Sequence, residues 1–393
     1  MNSSCATKVR NAFKNKHYLT APLPDKEFCD ACAALALKFC IELYGSPHDP
    51  QKPYRLTQGL DETSSCRESH KEYVIFLSPF LNSRAERCMT IGHEMYHRVT
   101  LHREGLRRQP WIDELMAFLT SRWFADQNGF SEYTKRLKRD FQGIRMPVDI
   151  KTLREFRYSN FLGRLKNLGQ DYPEHFYTDV TRLGLSLAYV AEGEDICRII
   201  SAASLEEWIK SLPQDRQYIA CQVLEFPADG LPIPDQDFLL DKLFYALYRK
   251  GDHEGALREF TKISTMQPKN AAAYYYLGRV HLNLRHYQAA LDAFKNAETF
   301  NCLDKNLPGF TGHAYRGSED FTSAAECYQK AVQNAPRSAS TAYWLADALR
   351  KSGDLESARA AWEKVLTLDD KHYAKLAQKA LQENPLPADA AQE

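Results

Sequence analysis

From residue 237 to 372 the chain repeats itself every 34 residues, and a period of that length restricts a sequence to stacked copies of one small unit. Stepping by 34 aligns Ala256, Ala290, Ala324 and Ala358 in one column, and Phe260, Phe294, Tyr328 and Trp362 in another four residues on. Pro268, Cys302, Pro336 and Asp370 close successive copies, while Gly251, Arg285, Glu319 and Gly353 fall at a turn inside each. Each copy therefore reads as helix, turn, helix. A further column holds the small residues Gly278, Gly312 and Ala346 in the first helix, with Phe244 in that place in the atypical first copy. The physical expectation is that the small residue lets two antiparallel helices approach, the alanine admits the next unit, and the aromatic fills the gap between units.

These columns resemble the tetratricopeptide repeat. The units run over 237–270, 271–304, 305–338 and 339–372, followed by a polar-faced capping helix at 373–384 and a frayed tail at 385–393. The resemblance implies an α-solenoid over 236–384 whose concave surface engages another protein.

Upstream, the stretch LPQDRQYIACQVLEFPADGLPIPDQD carries four prolines between helix-rich regions, so 213–235 reads as an irregular connector and the domain boundary falls near 235. Residues 1–235 read as an α+β domain, mostly helical with few strands. A helix is predicted around 26–44, a strand at 72–77, and mostly helices from Arg84 to Leu212, among them EDICRIISAASLEEWIKSL.

The chemistry is concentrated in RAERCMTIGHEMYHRVTLH, which contains His93-Glu94-Met95-Tyr96-His97. At about 100° per residue, two histidines four apart project about 40° from each other, one turn along the same helix face. Two imidazoles so placed can share one tetrahedral Zn²⁺. Glu94, directly after the first histidine, stands where it can accept a proton from an attacking water rather than ligate the metal. The bland alternative is an amphipathic helix with solvated histidines; the apolar Met89, Ile91 and Met95 argue for a packed helix instead. The preceding YVIFL is expected to be the edge strand that aligns an extended substrate.

A third ligand must leave one position open, and the next acidic pair on a helix is Asp113-Glu114 in QPWIDELMAFLTSRWF. Leu115, Phe118 and Leu119 give that helix an apolar face, which sets Glu114 at its inner side and Asp113 about 100° away. Here the chain resembles the gluzincin metallopeptidases of the peptidase-MA-like type. In these an HExxH helix is followed by Pro-Trp-x-x-Glu-Gly-x-Ala, matched by Pro110, Trp111, Glu114 and Ala117, with Leu115 in place of the glycine. The resemblance covers roughly residues 72–125 and implies a zincin-like domain holding zinc through His93, His97 and Glu114. His102 lies about 180° from His93 on a continuous helix, which suits a supporting role. Asp126 is a reserve ligand whose plainer reading is a solvated helix-end carboxylate. Gluzincins also use a tyrosine or histidine from a later helix to stabilise the oxyanion. Tyr177 is the candidate, with Tyr189 and His175 behind it, against the simpler role of packing aromatics.

Composition narrows the function. Lys plus Arg and Asp plus Glu both count 51, so no charge excess draws the chain to nucleic acid or to an anionic membrane. No run of about 18 apolar residues occurs, and the first residues lack the apolar core of a secretory signal, so a cytoplasmic protein is expected. Ten scattered cysteines lack the spacing of a disulfide framework, and the lone Cys29-x-x-Cys32 reads as buried helix residues. Two functions compete. One is a zinc-dependent metallopeptidase with Glu94 as general base, its repeats recruiting or gating protein or peptide substrates. The other is a scaffold with a zincin-like domain that has lost turnover, whose repeats mediate protein–protein interaction.

Overall fold

A computed structural model describes residues 23, 25–58, 65–68, 71–100, 110–140, 148, 150, 153, 176–191, 194–200, 202 and 204–384. The chain divides into two compact units, Met1–Leu231 with Arg249–Gly251, and Pro232–Tyr248 with Asp252–Glu393.

In the first unit, helix α1 (Lys26–Tyr44) buries Cys29, Cys32, Ala33, Ala36, Cys40 and Tyr44, a stripe at helical spacing made mostly of small residues. Small side chains permit a close approach, and α1 packs against α2 (Arg84–Thr100), which also buries Cys88, Ile91, Gly92 and Met95. Strands β1 (Tyr54–Gln58), β2 (Ser65–Glu68) and β3 (Tyr73–Leu77) form a sheet in the order β1-β3-β2. The β1 strand runs parallel to β3 with Leu56 opposite Ile75, while β2 runs antiparallel with Cys66 opposite Ile75.

This topology corrects the expectation for YVIFL. As the central strand, β3 has its backbone groups engaged on both sides by ladder bonds, so it has no edge to offer a substrate. Its burial on both faces, with only Phe76 half-exposed, explains why it reads as a continuous apolar run rather than an alternating one. Among the described residues both flanking strands, β1 and β2, are paired on one side only, and β2 packs near α2.

Helix α3 (Pro110–Gln127) buries Trp111, Ile112, Leu115, Met116 and Ala117 completely. It is followed by α4 (Ser131–Asp140) and α5 (Phe176–Leu187). Two more expectations change. The predicted helix at 194–212 is broken into α6 (Glu194–Cys197), a 3₁₀ turn at Arg198–Ile200, and α7 (Leu205–Ser211). The break has a local cause, because Ser204 caps α7 by accepting from the Glu207 amide at 3.1 Å. The predicted irregular connector contains helix α8 (Gln214–Leu224), started by Pro213 at its N-cap and stopped by Glu225 in a left-handed conformation. The irregular part begins only after it.

The second unit is an array of paired helices: α9 (Asp237–Lys250) and α10 (His253–Met266), α11 (Ala271–Asn283) and α12 (Tyr287–Thr299), α13 (Leu307–Gly317) and α14 (Phe321–Asn334), α15 (Ala339–Ser352) and α16 (Leu355–Leu366). Helix α17 (Lys371–Glu383) follows. The columns behave as spacing and chemistry require. A side chain at Gly278 would collide with the Phe294 ring, and one at Gly312 would stand 2.9 Å from Tyr328, so the aromatic column closes each pair internally. It also reaches the next pair, where the Phe260 ring lies 5.6 Å from that of Tyr276. Neighbouring pairs touch again where the Tyr287 ring covers Gly317. Between the paired helices, Gly251, Arg285, Glu319 and Gly353 all adopt positive φ, from 62° to 96°. Asp252, Asp320 and Asp354 then cap the second helices, each accepting from an amide three residues on.

Candidate metal centre

Two helices build the site. The α2 sequence places His93, Glu94 and His97 on one stretch, and α3 brings Asp113 and Glu114 against it. The helices meet closely because residue 92 is glycine. A Cβ there would stand 3.2 Å from both the Phe124 ring and the Ser121 backbone, so a larger residue would force the helices apart. The α2 register is held further by Tyr96, edge-on to Tyr44, whose hydroxyl bonds Thr120 on α3 at 2.6 Å.

The donor atoms converge. His93 Nε2 lies 3.1 Å from His97 Nε2, and Glu114 Oε2 lies 3.3 Å from the first and 3.7 Å from the second. Among the described residues these three form the one group of histidines, cysteines and acids able to hold a metal ion. On the far side of the His97 ring, Nδ1 faces Asp113 Oδ2 at 3.4 Å. Adjacent acids on α3 thus address opposite nitrogens of one imidazole, Glu114 at Nε2 and Asp113 at Nδ1.

Electrostatics follow from burial. Burial favours a neutral His97, but the charges of Asp113 and Glu114 outweigh it and push the ring up to about 10. Burial likewise opposes ionisation of Glu114, yet the two imidazoles win and the carboxyl falls to about 2. Glu94 is only 5% exposed, and no described residue hydrogen-bonds to it or pairs with it. Holding an ionised carboxylate in a buried place costs free energy that a neighbouring cation would offset.

The residues fit a zinc ion on these observations. Zinc bonds of about 2.0–2.2 Å in a tetrahedral shell put neighbouring donors roughly 3.3 Å apart, close to the three separations found. Two buried carboxyl groups, Asp113 and Glu114, face the imidazoles from α3, and a donor set of imidazole nitrogen and carboxylate oxygen suits a divalent cation.

The other residues singled out in the sequence lie elsewhere. Asp126, at the end of α3, bonds the Thr134 hydroxyl and stands 3.9 Å from Arg122, which ties α3 to α4 rather than serving the cluster. Leu115, the departure from the glycine of the resembled motif, is fully buried. Tyr189 is half-buried in the turn after α5. The backbone of Tyr177 belongs to α5, but its side chain, like His102 and His175, lies outside the described residues. Cys29 and Cys32 are buried thiols, with Cys32 against Cys88 of α2. Sequence reasoning missed two contributors: the contact of Asp113 with Nδ1, for which spacing holds no signal, and Gly92, whose place immediately before His93 was the available clue.

Comparison with known proteins bears on the second unit. The tetratricopeptide repeat family matches residues 242–300 and 311–372. Among solved structures, MamA from residue 41 onward of Desulfovibrio magneticus RS-1 is 21% identical over 48% of this chain and 95% of its own, at a TM-score of 0.35. The RS-1 MamA double mutant ArsTM gives 21%, 48%, 94% and 0.35, and an AMB-1 MamA structure gives 17%, 40%, 89% and 0.33. No curated protein matches the chain. Among the described residues no helix is long and apolar enough to cross a membrane. The C-terminal region of the chain is built of tetratricopeptide repeats.

Proposed function

We propose that this protein works through its repeat array by docking protein partners on it. The observation that carries the reading is the family match over 242–300 and 311–372. Stacked helix pairs present a long, rigid surface at little ordering cost, which suits recognition of a peptide or helix. A photo-crosslinker installed at Tyr245 or His313, on first helices, should capture partners in cells, while one at the exposed Lys295 or Lys330, on second helices, should not. Capture spread evenly over these positions would count against an array built for docking.

The cluster of His93, His97 and Glu114 supports a second reading for the first unit, zinc-dependent hydrolysis of peptide bonds. His93, His97 and Glu114 would hold the ion, with Glu94 directly after His93 in the chain and its side chain bonded to none of the described residues. A bound zinc ion would supply a Lewis acid that polarises a scissile carbonyl and acidifies a water. Glu94 would take the proton of that water and return it to the departing amine, work that a buried carboxylate suits. The observation supporting this reading is the convergence of the three donors His93, His97 and Glu114. Against it stands the scaffold in which the first unit no longer turns over.

Zinc content per purified chain and cleavage of an unstructured protein separate these. Under the peptidase reading, Glu94→Gln keeps one equivalent of zinc and lowers the rate by at least about 10²-fold, whereas Glu114→Ala loses the metal. Bound zinc with no cleavage by the unaltered chain would favour the scaffold, and a chain that takes up no zinc would remove both zinc readings.

A further inference from the structure

The first helices of the two central repeats carry a charge pattern that fold maintenance does not require. Helix α11 has one formally charged residue, Arg279, and α13 has one, Arg316; neither helix contains an acid. Their partner helices are mixed, with Asp292, Lys295 and Glu298 on α12 and Glu326 and Lys330 on α14.

Both arginines are held by aromatic rings in place of carboxylates. The Arg279 guanidinium lies 4.1 Å from the Phe244 ring centre on α9 and 4.7 Å from that of Phe310 on α13, and it donates to the Tyr245 hydroxyl at 3.2 Å. It therefore spans three successive first helices. Arg316 stacks 4.1 Å from the Trp344 ring centre on α15, and its Nε is buried without a hydrogen-bond partner. Neither forms an ion pair with any described residue. Asp241 on α9 accepts instead from the Tyr276 hydroxyl at 2.7 Å, Asp304 is engaged by Tyr275, and Asp347 on α15 is engaged by Arg350 and Lys351. His313, one turn before Arg316 on α13, is kept neutral because burial pushes it down to about 4, with Nδ1 2.6 Å from the Tyr328 hydroxyl.

A half-buried guanidinium fixed by ring stacking, with no ion-pair partner among the described residues, is pre-organised for an anion, since little rotamer freedom remains to be lost on binding. We propose that the face formed by α9, α11, α13 and α15 binds a carboxylate-rich segment of a partner protein, with Arg279 and Arg316 as its two fixed anchors. The inference rests on the array being a docking surface and adds the chemistry of what docks. A nucleic acid suits the face less well. Tracking a phosphate backbone takes a row of cations, and ring faces that bases would stack on are already taken by guanidinium groups.

The test uses the full chain and fluorescence anisotropy of a labelled peptide alternating Glu and Ala. Its Gln counterpart and a single-stranded oligonucleotide serve as competitors. The Glu peptide should bind, and added salt should weaken it. Arg279→Gln and Arg316→Gln should each cost about tenfold in affinity, while Lys295→Gln and Lys330→Gln change nothing. Should either glutamine variant lower the melting temperature, Arg279→Lys and Arg316→Lys keep the charge and should retain part of the binding. Equal binding of Glu and Gln peptides, no peptide binding, indifference to both arginines, or preference for the oligonucleotide would each overturn the proposal. The crosslinking result for the array would stand apart from all four.

Discussion

His97 carries a burden that no pattern of letters reveals, because each of its ring nitrogens faces a different carboxylate. Its proton is held up to about pH 10, so a metal that claims the ring must displace that proton. The sign follows: without metal the ring is protonated throughout the neutral range, and loading should release close to one proton at pH 8. Calorimetry of zinc binding in buffers of different ionisation enthalpy reads that release. Heats independent of the buffer would mean that His97 is already neutral. Affinity should also fall as the pH is lowered, because the proton competes for the same nitrogen. The spacing of His93, Glu94 and His97 was legible in the sequence, since a helix fixes which residues share a face. The contact between Asp113 and Nδ1 was not, because it depends on how two helices pack. The side-chain position of Tyr177 lies outside the described residues.

Packing distance decides what the helices can do. With 3.2 Å available at Gly92, Gly92→Val should push α3 from α2 and draw Glu114 away from the histidine pair. Overpacking of this kind costs typically 1–3 kcal/mol, and zinc affinity should fall further than that of a variant equally destabilised in the array. Zinc titration of both variants at matched stability checks it; equal affinities would show that Gly92 does not set the gap. In the array, Glu319 and Arg285 occupy turn positions that their counterparts Gly251 and Gly353 fill without strain. A left-handed conformation costs a residue with a Cβ roughly 1 kcal/mol, partly returned by the greater unfolded-state freedom of glycine. Glu319→Gly should therefore raise stability by about 0.5 kcal/mol in urea unfolding, and a loss would mean that the Glu319 side chain holds the turn. The 34-residue period made these turns readable before their backbone angles were known, because each helix pair repeats local interactions. The β1 and β2 strands gave no such signal. They are short, and their pairing with β3 joins residues distant in sequence, so the central position of YVIFL emerged only in three dimensions.

Two compact units imply that a ligand of one need not stabilise the other. Zinc at a hundred times its dissociation constant adds about 2.7 kcal/mol to whatever binds it. A thermal scan with zinc and then with chelator should move the transition of the first unit and leave that of the array in place. Movement of both together would show that the units unfold as one. At this scale the array declared itself through repetition, whereas the first unit rests on long-range contacts between α1, α2, α3 and a small sheet. The thiol stripe of α1 gives that unit a built-in clock. Cys29, Cys32 and Cys88 are shut between helices, and burial holds the Cys29 thiol above its ordinary range, so an alkylating reagent reaches them only when the helices part. The rate at which iodoacetamide marks these sulfurs therefore counts the unit's breathing, with no reporter thiol engineered in.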